Sequence, residues 1–192
     1  MNESYILIYN YVKLKLYIYN NMNTLMIHEM NKDTIIPKGL CTFDDGLYSQ
    51  YKYGRTLPND KIYFISSNII CSHNQSNEFI SALNAHKKSF EGNNENYMTI
   101  AQIKELIDLG IEIGGHSHYH KDVSKIPKLI DKVKHIKEDT ELMLDWFKSE
   151  LDYIPTSFCF PYNEELDGLY KGLLKTYGFT KFYGFNRVDI PA

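Results

Sequence analysis

The stretch that most constrains this chain is Leu40-Cys41-Thr42-Phe43-Asp44-Asp45-Gly46, a short apolar run that ends in two adjacent carboxylates and a glycine. The run reads as a buried strand, and the glycine lets the chain turn where it ends. Neighbouring acids repel, so a pair at the end of a hydrophobic strand calls for a compensating charge, and a bound cation is the usual one. Other apolar runs end in the same way: Leu25-Met26-Ile27 leads into His28, Ile111 to Gly115 into His116-Ser117-His118-Tyr119-His120, and Ser157-Phe158-Cys159-Phe160 into Pro161-Tyr162. In α/β proteins with parallel strands, sites form where the loops converge beyond the carboxyl ends of the strands. The four runs together therefore predict one site built from several loops.

The chain between these points alternates. Expected strands are Thr24–Ile27, Gly39–Phe43, Lys61–Ser66, Ile111–Gly114, Ser157–Phe160 and Phe179–Tyr183. Thr99 is placed to cap a helix over Ile100–Leu109 that Gly110 ends; apolar residues at helical spacing predict a long helix over Val123–Leu151, and a third spans Leu166–Tyr177, closed by Gly178. Strand and helix in alternation predict an α/β fold with a parallel sheet or an incomplete barrel. The polar segment Ser72–Tyr97 reads as a surface excursion with at most one short helix. Trp146, inside the long helical pattern, is expected in the core. There is no internal repeat and no interdomain linker.

With 192 residues, 43% of them hydrophobic, one domain with a real core is expected. A net charge of −3 gives no electrostatic footprint for nucleic acid. Cys41, Cys71 and Cys159 are odd in number and widely spaced, which favours buried thiols and a cytoplasmic, reducing location. The segment Tyr5–Tyr19 is rich in Ile, Leu and Tyr, but Lys13 and Lys15 interrupt it and residues 12–16 alternate with period two, so it is expected to be neither signal peptide nor membrane span. Residues 1–22 are read as an extra strand or hairpin, dispensable if Met22 or Met26 is the natural start, ahead of a single domain over 23–192. Nothing in the sequence sets an oligomeric state.

His116 and His120 are separated by three residues, a spacing that lets two imidazoles meet one metal ion. One carboxylate from Asp44-Asp45 completes a two-histidine, one-carboxylate set with open metal positions, and the other carboxylate is then free to act as a base.

At this point the residues carry a family resemblance. Thr42-Phe43-Asp44-Asp45-Gly46 resembles the first motif of the polysaccharide deacetylases, the NodB-homology or carbohydrate esterase family 4 domain, and His116 to His120 resembles the second. Phe158 to Tyr162 is similar to the third, and the likeness extends from about Leu25 to Gly184. The resemblance implies a single-domain, distorted TIM-type partial barrel that removes an N-acetyl or related acyl group from a carbohydrate, either a glycan or a nucleotide-linked sugar. It implies one divalent ion, zinc or another transition metal, held by Asp45, His116 and His120, with Asp44 as catalytic base and the backbone N–H of Tyr162 facing the oxyanion. His118, Tyr119, Pro161 and Arg187 become candidate substrate contacts, and Tyr119, Tyr162 and Tyr183 candidate walls of a sugar groove. His118, between two ligands, is expected to point away from the metal.

Two departures stand out. Cys159 occupies the place of the third motif's arginine; Arg187 is a candidate replacement, set against the expectation of an exposed scaffold arginine. The family's final leucine-histidine motif has no counterpart. A circularly permuted branch carries its catalytic histidine on the first strand, which makes His28 the candidate general acid. The alternatives are a non-catalytic glycan-binding relative that keeps the metal site and a hydrolase of small non-sugar amides.

Overall fold

The computed structural model describes residues 24–192; the extension expected over residues 1–22 lies outside them. Among the described residues seven strands are present: β1 (Thr24–Ile27), β2 (Leu40–Phe43), β3 (Lys61–Ile65), β4 (Glu112–Gly115), β5 (Ser157–Cys159), β6 (Lys181–Tyr183) and β7 (Val188–Asp189). The helices are α1 (Tyr48–Gly54), α2 (Ala82–Phe90), α3 (Ile100–Asp108), α4 (Leu129–Leu151) and α5 (Leu169–Thr176). Every strand pairing is parallel, in the order β6-β5-β4-β3-β2-β1-β7.

That order forces the sheet to curl. β6 and β7 are its two edges, yet only residues 184–187 separate them in sequence. Seven flat strands would put the edges about 29 Å apart at the usual inter-strand spacing. Five residues of extended chain reach about 18 Å at most. The expected partial barrel is therefore required by connectivity, and the link that spans its open side carries Arg187.

Alternation along the strands separates the core from the site. Cys41 and Phe43 of β2, Tyr63 and Ile65 of β3, Ile113 of β4 and Phe158 of β5 face outward into the main core, where Ile103 and Leu106 of α3 and Ile136, Met143 and Phe147 of α4 cover them. The other face turns into the barrel: Thr42 and Asp44 on the β2 line, Ile62 and Phe64 on β3, Gly114 on β4, and Ser157 and Cys159 on β5. Phe64 fills this interior, and Gly114 is what admits it.

The expected strands are all present, with ends displaced by at most two residues. β7 was not expected, since two residues are too few to display a period, and α1 was not expected either. Thr99 caps α3 as the sequence predicts, its hydroxyl accepting from Gln102 N–H while the Gln102 side chain accepts from Thr99 N–H. The long helix begins later than expected, at Leu129 rather than Val123. Pro127 is the reason: the residue before a proline is driven out of the helical region, and Ile126 sits at φ −80°, ψ 118°. Leu129 and Ile130, counted in the apolar stripe, are exposed, and Trp146 is half-buried against the core's edge rather than inside it. The third expected helix is broken at Asp167 and Gly168, both at positive φ, so only Leu169–Thr176 is α-helical. Among the described residues no helix is long and apolar enough to cross a membrane.

A methyl group at Gly114 would lie 2.4 Å from Phe64 Cε1 and 2.6 Å from Ser157 Oγ. Gly114→Ala is expected to destabilise the fold by about 1–3 kcal/mol, read as a lower urea midpoint. An unchanged midpoint would mean that Phe64 does not occupy the barrel interior.

Candidate functional site

Asp44 and Asp45 are neighbours in sequence but serve separate clusters. Asp44 continues the inward line of β2, whereas Asp45 adopts φ 80°, a left-handed conformation that redirects its side chain. Ser117, His120, Tyr162 and Asn163 also have positive φ. Unfavourable backbone geometry is thus concentrated in the loops after β2, β4 and β5, at one rim of the barrel.

Around Asp45, imidazoles converge. Its Oδ1 lies 3.2 Å from His116 Nε2 and 3.1 Å from His120 Nε2, and those two nitrogens are 3.1 Å apart. All three residues are buried. The His116 ring is oriented from behind, and the His120 backbone is held, while His120 Nδ1 is buried without a hydrogen-bond partner. His116 Nδ1–H donates to the Cys159 carbonyl at 2.8 Å, and the backbone N–H of His120 donates to Ser117 Oγ at 2.8 Å. The loop itself is anchored by Asp139, a buried residue of α4 whose carboxylate accepts from His118 N–H (2.8 Å) and Tyr119 N–H (2.9 Å).

Asp44 has a cation of its own. Arg187 donates from Nη1 to Asp44 Oδ1 at 2.7 Å and to Thr42 Oγ1 at 2.9 Å, and from Nη2 to Asn163 Oδ1 at 3.1 Å and Cys159 Sγ at 3.1 Å. Arg187 is buried, so the expected exposed scaffold arginine is corrected: the inter-edge link carries it under the rim, into space that the small Cys159 leaves free. The Cys159 thiol in turn lies 3.3 Å from Asp44 Oδ2. Gln50 of α1 ties the two neighbouring strand ends together, its side-chain NH₂ donating to the carbonyls of His28 (2.6 Å) and Asp44.

His28 sits in the same cleft, 37% exposed, with Nε2 4.0 Å from Asp44 Oδ2 and Nδ1 3.8 Å from Asp189 Oδ1. The cleft, about 180 Å³, is lined by His28, Asp44, Asp45, His86, His116, His120, Phe160, Tyr162 and Asn163 together with Ala82 and Leu83. A hollow of about 410 Å³ beside it includes Tyr119, His120 and Tyr162. Tyr162 is half-exposed with its ring 5.1 Å from that of His120, and Pro161 is buried next to it. His118 is turned aside, its Nδ1 2.8 Å from Ser67 Oγ. Tyr183 does not join the groove; it packs on Phe64 at 5.1 Å.

His86 was missed by the sequence reading. It stands on α2, in the segment taken for a surface excursion, and its Nε2 is 3.3 Å from Asp45 Oδ1. The available signal was the small-residue face Ala82, Ala85 and Ser89 around it, which lets a helix pack closely.

The electrostatics follow from this geometry. Burial acts to raise the Asp45 carboxyl, but His116, His120 and His86 hold it well below the ordinary range. Burial pushes His120 down to about 4. His116 is lowered by burial, yet Asp45 above all, with Asp44, leaves it raised on balance. The donor set fits a divalent cation. A carbonyl can only accept, so a neutral His116 bonded to Cys159 through Nδ1 presents a bare Nε2 lone pair to a carboxylate oxygen 3.2 Å away. Two acceptors at that separation require a proton or a cation between them.

No family model matches the sequence, and no curated protein matches it. Solved structures do match. IcaB from Ammonifex degensii aligns with a TM-score of 0.57 at 18% identity, covering 93% of this chain and 82% of that one. The BpsB deacetylase domain from Bordetella bronchiseptica aligns at 0.59 with 12% identity, covering 88% of this chain and 94% of that one. A de-N-acetylase from Aggregatibacter actinomycetemcomitans aligns at 0.58 with 13% identity, covering 94% and 82%. At such identities the likeness is one of fold: this chain has the partial-barrel fold of the polysaccharide deacetylases, as its motifs led us to expect.

Both members of the Arg187–Asp44 pair are buried, their side chains 2% and 3% exposed. Arg187→Met should therefore cost about 3–5 kcal/mol by leaving the carboxylate unpaired. Adding Asp44→Asn should restore part of the loss, because the buried charge is gone; strict additivity in this urea-denaturation cycle would show that the pair is not coupled.

Proposed function

We propose that this protein is a metal-dependent hydrolase that removes an N-acetyl or related acyl group from a carbohydrate. The observation that carries the reading is the convergence of Asp45, His116 and His120 within 4.8 Å of one another, beside a second carboxylate with its own guanidinium, at the rim of a deacetylase-like barrel. Asp45 Oδ1, His116 Nε2 and His120 Nε2 would hold one divalent ion, zinc or another transition metal. When bound, such an ion supplies Lewis-acid polarisation of the acyl carbonyl and acidifies the attacking water.

The chain's own groups account for the proton transfers. Asp44 accepts the proton of the attacking water, with its carboxylate held in place by Arg187, which replaces from a different part of the chain the arginine that Cys159 displaces. His28, across the cleft, donates a proton to the departing amine, a poor leaving group unless protonated. The backbone N–H of Tyr162 would stabilise the oxyanion; Tyr162, in a left-handed conformation, stands among the residues that line the cleft. Tyr119 and Tyr162 offer exposed rings on which a sugar can stack. The position of His28 just after β1, ahead of the aspartate strand, supports assignment to the permuted branch.

The direct test is metal content together with acetate release from a panel of N-acetylated sugars, including nucleotide-linked and cell-surface glycans. Release that depends on a divalent ion is expected; a protein that binds no metal and frees no acetate would end the proposal. The two aspartates should separate. Asp44→Asn should keep the metal and lose most turnover, whereas Asp45→Asn should lose metal affinity first, and equal metal loss in both would contradict the division of roles. His28→Ala should keep fold and metal while kcat falls roughly 10²–10⁴-fold, the usual worth of a positioned general acid. Turnover near that of the unaltered protein would remove His28 from the mechanism.

A further inference from the structure

We propose that His86 is a fourth protein ligand of the cation held by Asp45, His116 and His120, so that the centre is one carboxylate and three imidazoles. The inference rests on the metal site proposed above and extends it to a residue outside the motifs that define that site.

Four observations point the same way. His86 Nε2 lies 3.3 Å from Asp45 Oδ1, the oxygen that His116 and His120 also approach. Its ring is stacked on that of His120, centroids 4.3 Å apart and planes 22° apart. Its side chain is only 14% exposed, although it belongs to a short helix on the outside of the barrel. Its other nitrogen, Nδ1, is 3.2 Å from the hydroxyl of Tyr97, a fully buried residue. With Nδ1–H given to that hydroxyl, the Nε2 lone pair faces Asp45. This is the arrangement that metal-binding histidines adopt, one nitrogen on the ion and the other on a fixed partner.

The surroundings hold His86 there. Ala82 N–H, in the first turn of α2, donates to Glu29 Oε2 at 2.6 Å, which fastens the helix to the residue after His28. Ala85 is fully buried, so the helix packs closely on this face. Residues 96–98 return beside the aspartate loop through Tyr48 N–H to the Asn96 carbonyl (2.8 Å) and Met98 N–H to the Gly46 carbonyl (2.9 Å), which positions Tyr97 behind His86. The segment that carries His86 is thus pinned to both catalytic strand ends.

A hydrogen-bonding role for His86 toward Asp45 alone explains less. Three imidazoles crowd one oxygen, and His116 has already committed its neutral-state proton to Cys159. A cation held by the closely grouped Asp45, His116 and His120 would draw the His86 lone pair onto the same ion. Four protein ligands also saturate a tetrahedral ion, so a substrate-accepting centre of this kind requires five or six coordination.

X-ray absorption of the full chain loaded with Co²⁺ alone, or with Zn²⁺ alone, tests the inference by counting imidazoles. Three are expected in the unaltered protein. His86→Phe keeps a ring against His120 without a nitrogen; circular dichroism confirms its fold, and its count should fall to two, with affinity in chelator competition lower by at least about 10-fold. Stoichiometric metal with only two imidazoles in the unaltered protein would overturn the ligand role of His86 while leaving the proposed centre intact. An unchanged count in His86→Phe would do the same, even if affinity dropped. Failure of the unaltered protein to take up either ion would overturn the underlying centre as well.

Discussion

Two carboxylates on consecutive residues, both buried, are tolerable only if each has its own positive partner. The structure meets that condition by divergence. The pleat of β2 sends Asp44 into the barrel, and a left-handed turn at the next residue sends Asp45 toward the histidine loop. Asp44 meets a guanidinium that cannot lose its proton under ordinary conditions, which keeps its environment fixed in charge. Asp45 meets imidazoles, whose charge depends on what they bind. On the function proposed above, a permanent partner suits Asp44 as the proton acceptor, and exchangeable partners suit Asp45 as an ion ligand.

The curled sheet is what makes this possible. In a flat sheet of this strand order, Arg187 could not lie under both β2 and β5, because the link between the edges would be too short to exist. Curling also brings the β1 end, with His28, to the same rim as the loops after β4 and β5. Gln50 and Asp139 then fix backbone rather than side chains, one at the β1 and β2 ends and the other at the histidine loop. Neither residue looks unusual in the sequence, since a buried amide or acid on a helix has no local signature.

Much of the architecture was legible from the chain alone. Apolar runs of four or five residues marked six strands, and the residues ending them marked the rim. What escaped had physical reasons. β7 is too short for a pattern, Pro127 outweighed the apolar spacing around it, and Leu129 and Ile130 kept the helical period without finding a surface to cover. Cys159 in the arginine's place made Arg187 a candidate partner for Asp44, but nothing near residue 187 announces that it is buried. His86 escaped because its helix is anchored by small residues and by Glu29 and Tyr97, contacts that a scan for amphipathic stripes does not weigh.

The inter-edge link has a consequence for the order in which the chain is made. Asp44 precedes its guanidinium by 143 residues, so on a ribosome the β2, β3 and β4 strands emerge long before the charge that lets Asp44 be buried. Until residue 187 is available, the nascent barrel must keep that rim wet. The hydrophobic outer face can condense on α3 and α4 during synthesis, while the inner face is sealed only after residue 187 has been made. The rim therefore matures after the outer core that supports it.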